Sequence, residues 1–435
     1  MSTRTWRNWA GNQRGHATVA RPRTQDELVA LVDQARRAGR RLKVVGSGHS
    51  FTDIALADDI RLELPRTGLL QPGPPGSRRV TVPAGMTLRQ INTWLAAHGL
   101  ALPNLGDIDA QTIAGALATG THGTGAASGG LATQVVGLTL VTGTGEVLRC
   151  SETAHPEVFA AARVGLGALG VVTEVTLQCV DAFVLHADER PLPLAQTLAE
   201  FDELCATNQH VEFYWMPYTD RTLVKRNNRT EVDSSPMSRL AAWWENDFLQ
   251  NVALGAVCRL GRAMPAAMPW LARRVAGFFS PVTYTNRSDR VFTTPRRVRF
   301  VEMEYALPRP ALPEAFAALQ RIVATSPVRV ILPVEVRVGA ADDIWLSPGY
   351  GRDSVYIAIH QYVGAPYEPY FRAFEQVCVE LGGRPHWGKL HWRDAASLAP
   401  VYPRFTDFLA LRDRLDPDRM FTNRYLDRVL GRARA

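Results

Sequence analysis

The sequence predicts an α+β protein of two domains, and three observations carry that prediction. Its 435 residues, 46% of them hydrophobic, exceed what one core of ordinary size accommodates. The first 180 or so residues contain glycine turns that directly follow short apolar strands. Beyond about Val180 the glycines thin out, aromatic and charged residues increase, and strand patterns are paired with helical ones, the order of a sheet covered on one face.

In the first region, Thr24-Gln25-Asp26-Glu27 reads as a helix start, with Thr24 as N-cap and Glu27 at the third position. Leu28, Leu31, Val32 and Ala35 form its inner face, and Gly39 ends it. A strand over 42–45 then runs into Gly46-Ser47-Gly48-His49-Ser50. Consecutive amides and a serine hydroxyl after a strand suit a pyrophosphate. Taken alone, a glycine turn holding nothing explains the segment better. A strand over 79–82 and a helix over 87–98 follow, then a loop carrying Gly106 and Asp107.

The run 112–125 holds Thr112, Gly115, Thr119, Thr121, His122, Gly123 and Gly125. So many small residues pack poorly as a core but let the backbone lie against a flat ligand. Residues 137–142 and 147–150 alternate as a hairpin. Gly165-Leu166-Gly167-Ala168-Leu169-Gly170 spells the dinucleotide fingerprint, but a helical stretch precedes it and a strand follows it. That order is the reverse of what the fingerprint needs, so a Rossmann-type NAD site is discounted.

In the second region, strands are expected at 297–305, 328–338 and 354–362, and helices at 310–325 and 369–381. Glu335 and Arg337, two apart, share a strand face, as do Glu302 and Glu304. The first pair reads equally as an ion pair or a site. The second reads as a solvated strand face, since nothing else supports the two-carboxylate chemistry of a glycosidase. In 384–392, His386, Lys389 and His391 stand among tryptophans; zinc is discounted for want of a third ligand.

The formal charge of +7 is spread along the chain, which argues against nucleic-acid binding. Arginine replaces lysine almost everywhere, so the three lysines, Lys43, Lys225 and Lys389, are candidates for proton chemistry. Five scattered cysteines without a CxxC pair, and an N-terminus lacking an apolar stretch, fit a reduced cytoplasmic protein. Arginines and prolines interrupt 252–279, which argues against a membrane span. Residues 237–279, with Trp243, Trp244, Phe248, Leu249 and Phe278, read as a mobile lid or a peripheral membrane contact, and internal packing accounts for the same aromatics almost as well.

These segments together resemble the aldonolactone oxidoreductases: D-arabinono-1,4-lactone oxidase, L-gulonolactone oxidase and bacterial gulonolactone dehydrogenases, with the alditol oxidases nearby. The resemblance runs from Asn8-Trp9-Ala10-Gly11 through 46–51, 118–125 and 167–171 to 384–389. It ends in the signature Leu415-Asp416-Pro417-Asp418-Arg419-Met420-Phe421-Thr422-Asn423-Arg424-Tyr425-Leu426. It implies a two-lobed FAD-binding domain of the vanillyl-alcohol-oxidase (PCMH) type over 1–180, an α+β cap over 181–384, and a segment, 385–435, returning to the flavin domain.

The implied cofactor is FAD, bonded to His49 through its 8α-methyl. Val45, Gly46, Ser47, Gly48, Ser50, Gly106, Thr112, Gly115, Thr119, Thr121, His122, Gly123, Gly125, Gly170, Val171, Val172, His386 and Asn423 surround it, and no metal is expected. The implied substrate groups are Glu335, Arg337 and Lys389, with His360 and Asp107 standing where alditol oxidases carry threonine and serine. These differences resemble the lactone enzymes. Lys389 or Arg337 is expected to draw the hydroxyl proton while hydride passes to flavin N5, and Glu335 to orient Arg337. The implied substrate is a gulono-, galactono- or arabinono-1,4-lactone oxidised at C2. The acceptor is oxygen, for which Gly106 leaves room, or another electron acceptor. The alternatives are a polyol or glycoside oxidase on the same fold, and a flavin-fold binding protein without catalysis.

Overall fold

Local signals start the helices where the sequence places them. Thr24 accepts a hydrogen bond from Glu27 N at the head of helix Gln25–Arg37, and Thr87 and Gln90 form a capping box on helix Leu88–Ala97. The computed structural model describes residues 3–432, the side chains at 242, 245–247, 249 and 250 excepted, so the expectation for the Leu249 side chain lies outside the described residues.

The N-terminal region forms two lobes. In the first, four strands lie in the order Thr3–Arg7, Arg14–Ala20, Ile60–Leu62, Leu42–Val44. In the second, five antiparallel strands run in the order Gln71–Pro72, Arg79–Pro83, Val171–Gln178, Val135–Val141, Val147–Cys150. The small-residue run begins as a short helix, Ile113–Ala118, between them.

The remainder is built on one eight-stranded antiparallel sheet, ordered Val282–Arg287, Val184–Pro193, Arg221–Thr230, His210–Trp215, Val334–Gly339, Ser354–Tyr362, Phe300–Pro308, Arg384–Pro385. One face carries Phe213, Trp215, Val334, Val336, Ile357, Ile359, Val301 and Met303. It is buried under helices Leu194–Thr207, Leu312–Thr325 and Glu368–Glu380. The other face is polar yet also buried, because it is turned toward the two N-terminal lobes. The expected strand over 328–338 forms only from Val334, and four strands between 184 and 287 escaped the sequence reading.

After Pro385 the chain returns to the first two lobes. Phe51 N donates to Gly388 O at 2.7 Å, Gly143 N to Leu415 O at 2.8 Å, and the Asn423 amide to the carbonyls of Asp53, Ile54 and Leu56. All five cysteines are free and buried. No described helix is long and apolar enough to cross a membrane.

Candidate active site

A cleft of about 690 Å³ runs between the two N-terminal lobes. The turn after strand Leu42–Val44 supplies Val45, Gly46, Ser47, Gly48, His49 and Ser50 to one wall, and Thr112, Gly115, Thr119, Gly170 and Val172 supply others. From Gly46 to Ser50 no main-chain N–H has an acceptor among the described residues, and Ser47 Oγ is buried without a partner. Such unsatisfied donors await an anion, and a pyrophosphate fits them.

The glycines of this turn are required. A Cβ on Gly46 would lie 2.3 Å from Thr112 Oγ1, and Gly48 has a φ of +73° with the Trp6 ring 2.9 Å from where its Cβ would stand. The fingerprint-like segment sits, as expected, between helix Pro156–Ala162 and strand Val171–Gln178. It nonetheless lines the cleft with Gly165, Leu166, Gly167 and Leu169, four positions the sequence reading did not assign. Their common signal is a backbone able to approach a flat ligand.

Several expected cofactor residues stand elsewhere. Val171 packs in the core behind the cleft, since its strand alternates and Val172 takes the cleft side. Asn423 caps helix Arg424–Leu430 and ties it to the first lobe. Gly123 and Gly125 allow close passage: a Cβ would fall 2.3 Å from Leu105 O at the former and 2.7 Å from Gln209 O at the latter.

Gly106, Thr121, His122 and His386 line a second cavity, of about 150 Å³, which His49 also borders. His49 thus stands where the long cleft meets the smaller chamber. Its ring is stacked 5.8 Å from that of Trp9, and burial holds its imidazole below the ordinary pKa, hence neutral. Glu335, Arg337, Lys389, His360 and Asp107 all line this chamber, with Tyr214, Arg296, Asn251, Glu302 and Glu304.

Sheet register explains the gathering. Tyr214 lies opposite Glu335, Glu212 opposite Arg337, and Glu302 opposite His360, so their side chains emerge on one face. Arg337 Nη2 lies 2.5 Å from Glu335, its Nε donates to Glu212 at 2.8 Å, and Asp107 is 3.5 Å away. Asp107 also binds Arg296 at 3.0 Å.

Glu302 and Glu304 correct the expectation of a solvated face: they are 5% and 2% exposed. Lys389 Nζ donates to Glu302 and, at 3.4 Å, to Glu304, while His122 Nε2 lies 2.8 Å from the other oxygen of Glu304. Two buried carboxylates sharing one lysine are tolerated because each is paired.

Charge balance bears on the choice of base. Burial pulls the Lys389 ammonium down, but Glu302 and Glu304 outweigh it and hold its pKa above the ordinary lysine value. Arg337 is likewise held above its ordinary value by Glu335, Glu212 and Asp107 despite burial. Both shifts favour the cationic form. Glu335 differs: burial raises its pKa, Arg337 opposes, and Asp107 and Glu212 raise it again, with the net shift upward. Burial lowers the His360 pKa, yet Glu302 and Glu335 raise it overall. His386 is pushed down to about 3 by burial and is neutral.

A donor-lined cleft for a diphosphate, opening beside a neutral histidine onto a chamber of paired charges, defines a flavin-dependent oxidoreductase. Sequence comparison places it further. Residues 16–151 match the FAD binding domain, and residues 175–429 match the D-arabinono-1,4-lactone oxidase family. The chain belongs to that family, and it is an FAD-dependent oxidoreductase acting on CH–OH groups.

The chain is 44% identical to an L-gulono-1,4-lactone dehydrogenase of Mycobacterium tuberculosis, over 98% of this chain and 99% of the other. It is 35% identical to the L-gulonolactone oxidase of Scyliorhinus torazame, over 94% of each. Among solved structures, a solvent-stable cholesterol oxidase shares the fold, with a TM-score of 0.84 at 19% identity over 98% of this chain and 97% of that one.

Proposed function

We propose that this protein oxidises the C2 hydroxyl of an aldono-1,4-lactone, of the gulono-, galactono- or arabinono- series, with FAD attached covalently to His49. The observation that carries the reading is the position of His49, which borders both the cleft and the charged chamber. Its burial supports attachment, since a neutral imidazole has the nucleophilic nitrogen that bonding to a flavin methyl group needs. Bound FAD supplies the hydride acceptor for the substrate carbon.

The chamber's own residues handle the proton. Glu335 receives it from the hydroxyl, because it is the chamber carboxylate whose basicity is raised. Arg337 and Lys389 stabilise negative charge developing on the oxygen, and His360, whose Nδ1 donates to Pro333 O at 2.9 Å, presents Nε2 toward Glu302. Asp107 fixes Arg337 from the flavin-type lobes. The same reading divides the chain into a flavin domain, 1–180, a cap, 181–384, and a returning segment, 385–435. The bonds of Gly388, Leu415 and Asn423 to residues before 150 support it.

For the acceptor we favour oxygen. Gly106 presents no side chain to the chamber; a Cβ there would meet His122 O at 3.0 Å. A second reading, transfer to another acceptor, is favoured by the name of the mycobacterial relative. Peripheral contact with a lipid surface is proposed for the helices between 239 and 276. Trp243, Trp244 and Trp270 are about half exposed there, and Phe278 beyond them is 79% exposed.

Turnover of a lactone panel against xylitol and sorbitol tests the substrate: reduction of the flavin by the polyols alone would remove the lactone assignment. Stopped-flow mixing of reduced protein with air tests the acceptor, rapid reoxidation with peroxide being the expected result. Co-sedimentation with anionic liposomes tests the surface contact.

A further inference from the structure

We propose that Arg296 recognises the lactone carbonyl, and that Asn251 and Asp107 hold it in position for that task. This inference rests on the lactone reading above and adds the residue that separates a lactone from an open-chain polyol.

A lactone carbonyl oxygen only accepts hydrogen bonds, whereas a polyol hydroxyl at the same carbon also donates. In a chamber lined by Glu335, Glu302 and Asp107, an acceptor-only oxygen is repelled unless a donor faces it. The donors that face the chamber carboxylates are largely occupied. Lys389 is shared by Glu302 and Glu304, Tyr214 donates to Glu335 at 2.7 Å, and His360 Nδ1 donates to Pro333 O. Arg337 spends Nε on Glu212 and Nη2 on Glu335. Among the described residues that line the chamber, the guanidinium nitrogens without an assigned hydrogen bond or ion pair are Nη1 of Arg337 and Nη1 of Arg296.

Asp107 joins these two arginines, Oδ1 lying 3.5 Å from Arg337 Nη2 and Oδ2 lying 3.0 Å from Arg296 Nη2. One carboxylate therefore sets two guanidinium groups side by side, a pairing that matches two oxygens on adjacent carbons: the C2 hydroxyl at Arg337 and the C1 carbonyl at Arg296. The Arg296 backbone is held independently. The Asn251 side chain, on the π-helix Trp243–Ala253, receives Arg297 N on Oδ1 at 2.7 Å and donates Nδ2 to Pro295 O at 3.1 Å, bracketing Arg296 in sequence. Thr294 N also donates to Asp107 O at 3.0 Å. A donor fixed on both sides loses little freedom on binding, which favours discrimination.

The test compares FAD-loaded wild type with Arg296→Gln, Arg296→Lys and Asn251→Ala. Calorimetry would measure the affinity of a 2-deoxy-aldono-1,4-lactone, which lacks the oxidisable hydroxyl, and steady-state kinetics the lactone-to-alditol ratio of kcat/KM. Arg296→Gln is expected to weaken the deoxylactone and lower the ratio by roughly 10- to 100-fold, the loss expected for one hydrogen bond to a charged group. Arg296→Lys should fall between, and Asn251→Ala should raise the lactone KM with little change in kcat. Should Arg296→Gln fail to load FAD, Asn251→Ala carries the same comparison, since it leaves the guanidinium in place. An equal loss for lactone and alditol, or an unchanged deoxylactone affinity, overturns the assignment. A wild-type protein that binds and oxidises only alditols defeats the lactone reading itself, whatever the variants do.

Discussion

Tyr214 donates its phenol to Glu335 at 2.7 Å, across a pair of strands that set the two residues directly opposite each other. Burial and the neighbouring carboxylates Glu212 and Glu335 hold the phenol well above its ordinary pKa, so it remains a donor throughout the working range. A hydrogen bond to the charged form favours that form, so Tyr214 restrains a Glu335 pKa that burial otherwise pushes up.

As the proposed base, Glu335 is active when ionised, so activity is expected to fall as pH drops through its raised pKa. Tyr214→Phe removes the restraint and is expected to move the acid limb of the kcat/KM profile upward by about one pH unit. An acid limb that stays put, measured in anaerobic flavin reduction, assigns the base elsewhere.

Lys389 offers a separable test of the charge network. Lys389→Met leaves Glu302 and Glu304 buried with no ammonium between them. The expected loss of stability is about 3–5 kcal/mol by chemical denaturation, the usual cost of stranding a buried charge. Adding Glu304→Gln should recover part of it, because the amide needs no counter-charge. Substrate-dependent flavin reduction should remain slow in both, since the cation proposed to stabilise the reacting oxygen is gone from each.

His49→Ala should convert an acid-stable yellow protein into one that releases its colour. Wild-type protein precipitated with acid is expected to give a yellow pellet, and the variant a white pellet with free FAD in the supernatant. Because Ser47 and the amides of 46–50 are unaffected, the variant should still take up FAD before precipitation. A white wild-type pellet would remove the covalent bond from the proposal while leaving the cleft intact.

The legible parts of the sequence were those in which a local rule points to one outcome. Thr24 and Thr87 announce helix starts, and the strand before Gly46 announces the cradle. Glu335 and Arg337 share a face because a strand has a period of two, and the structure adds the ion pair that this spacing permits. The same rule misled at Glu302 and Glu304. A polar strand face ordinarily means solvent, but here that face is turned toward the N-terminal lobes, and only the distant Lys389 and His122 reveal it. The strand Arg221–Thr230 was missed for a related reason, since Lys225 and Asn227 make it look like a loop while they point inward or half inward. Arg296 and Asn251 carried no signal, because their meeting depends on a π-helix that no local pattern specifies. The scarcity of lysine was informative. Lys43 is buried, and Lys225 and Lys389 face carboxylates, so none of the three is an ordinary surface charge.

Lys43 gives the last prediction, and it concerns stability. Its Nζ donates to Leu166 O at 3.1 Å beneath the glycine segment that lines the cofactor cleft, and no carboxylate is bonded to it among the described residues. Burial, helped by the nearby Arg412 and resisted by Asp416, pulls its pKa down to about 7 from the ordinary 10.5. Between those values the unfolded chain holds the proton and the folded chain does not, so protons favour unfolding. The contribution of Lys43 to stability is therefore present above pH 10.5 and is lost as pH falls toward 7. Comparing unfolding free energies of wild type and Lys43→Met from pH 7 to 10 isolates this group from the tyrosines and cysteines that titrate in the same window. The difference between the two should change by about 1.4 kcal/mol per pH unit, with the wild type gaining relative stability as pH rises. Parallel curves would mean that Lys43 keeps its proton in the folded protein. The ammonium would then be an available cation at the phosphate cleft, and FAD retention in Lys43→Met would be expected to weaken with it.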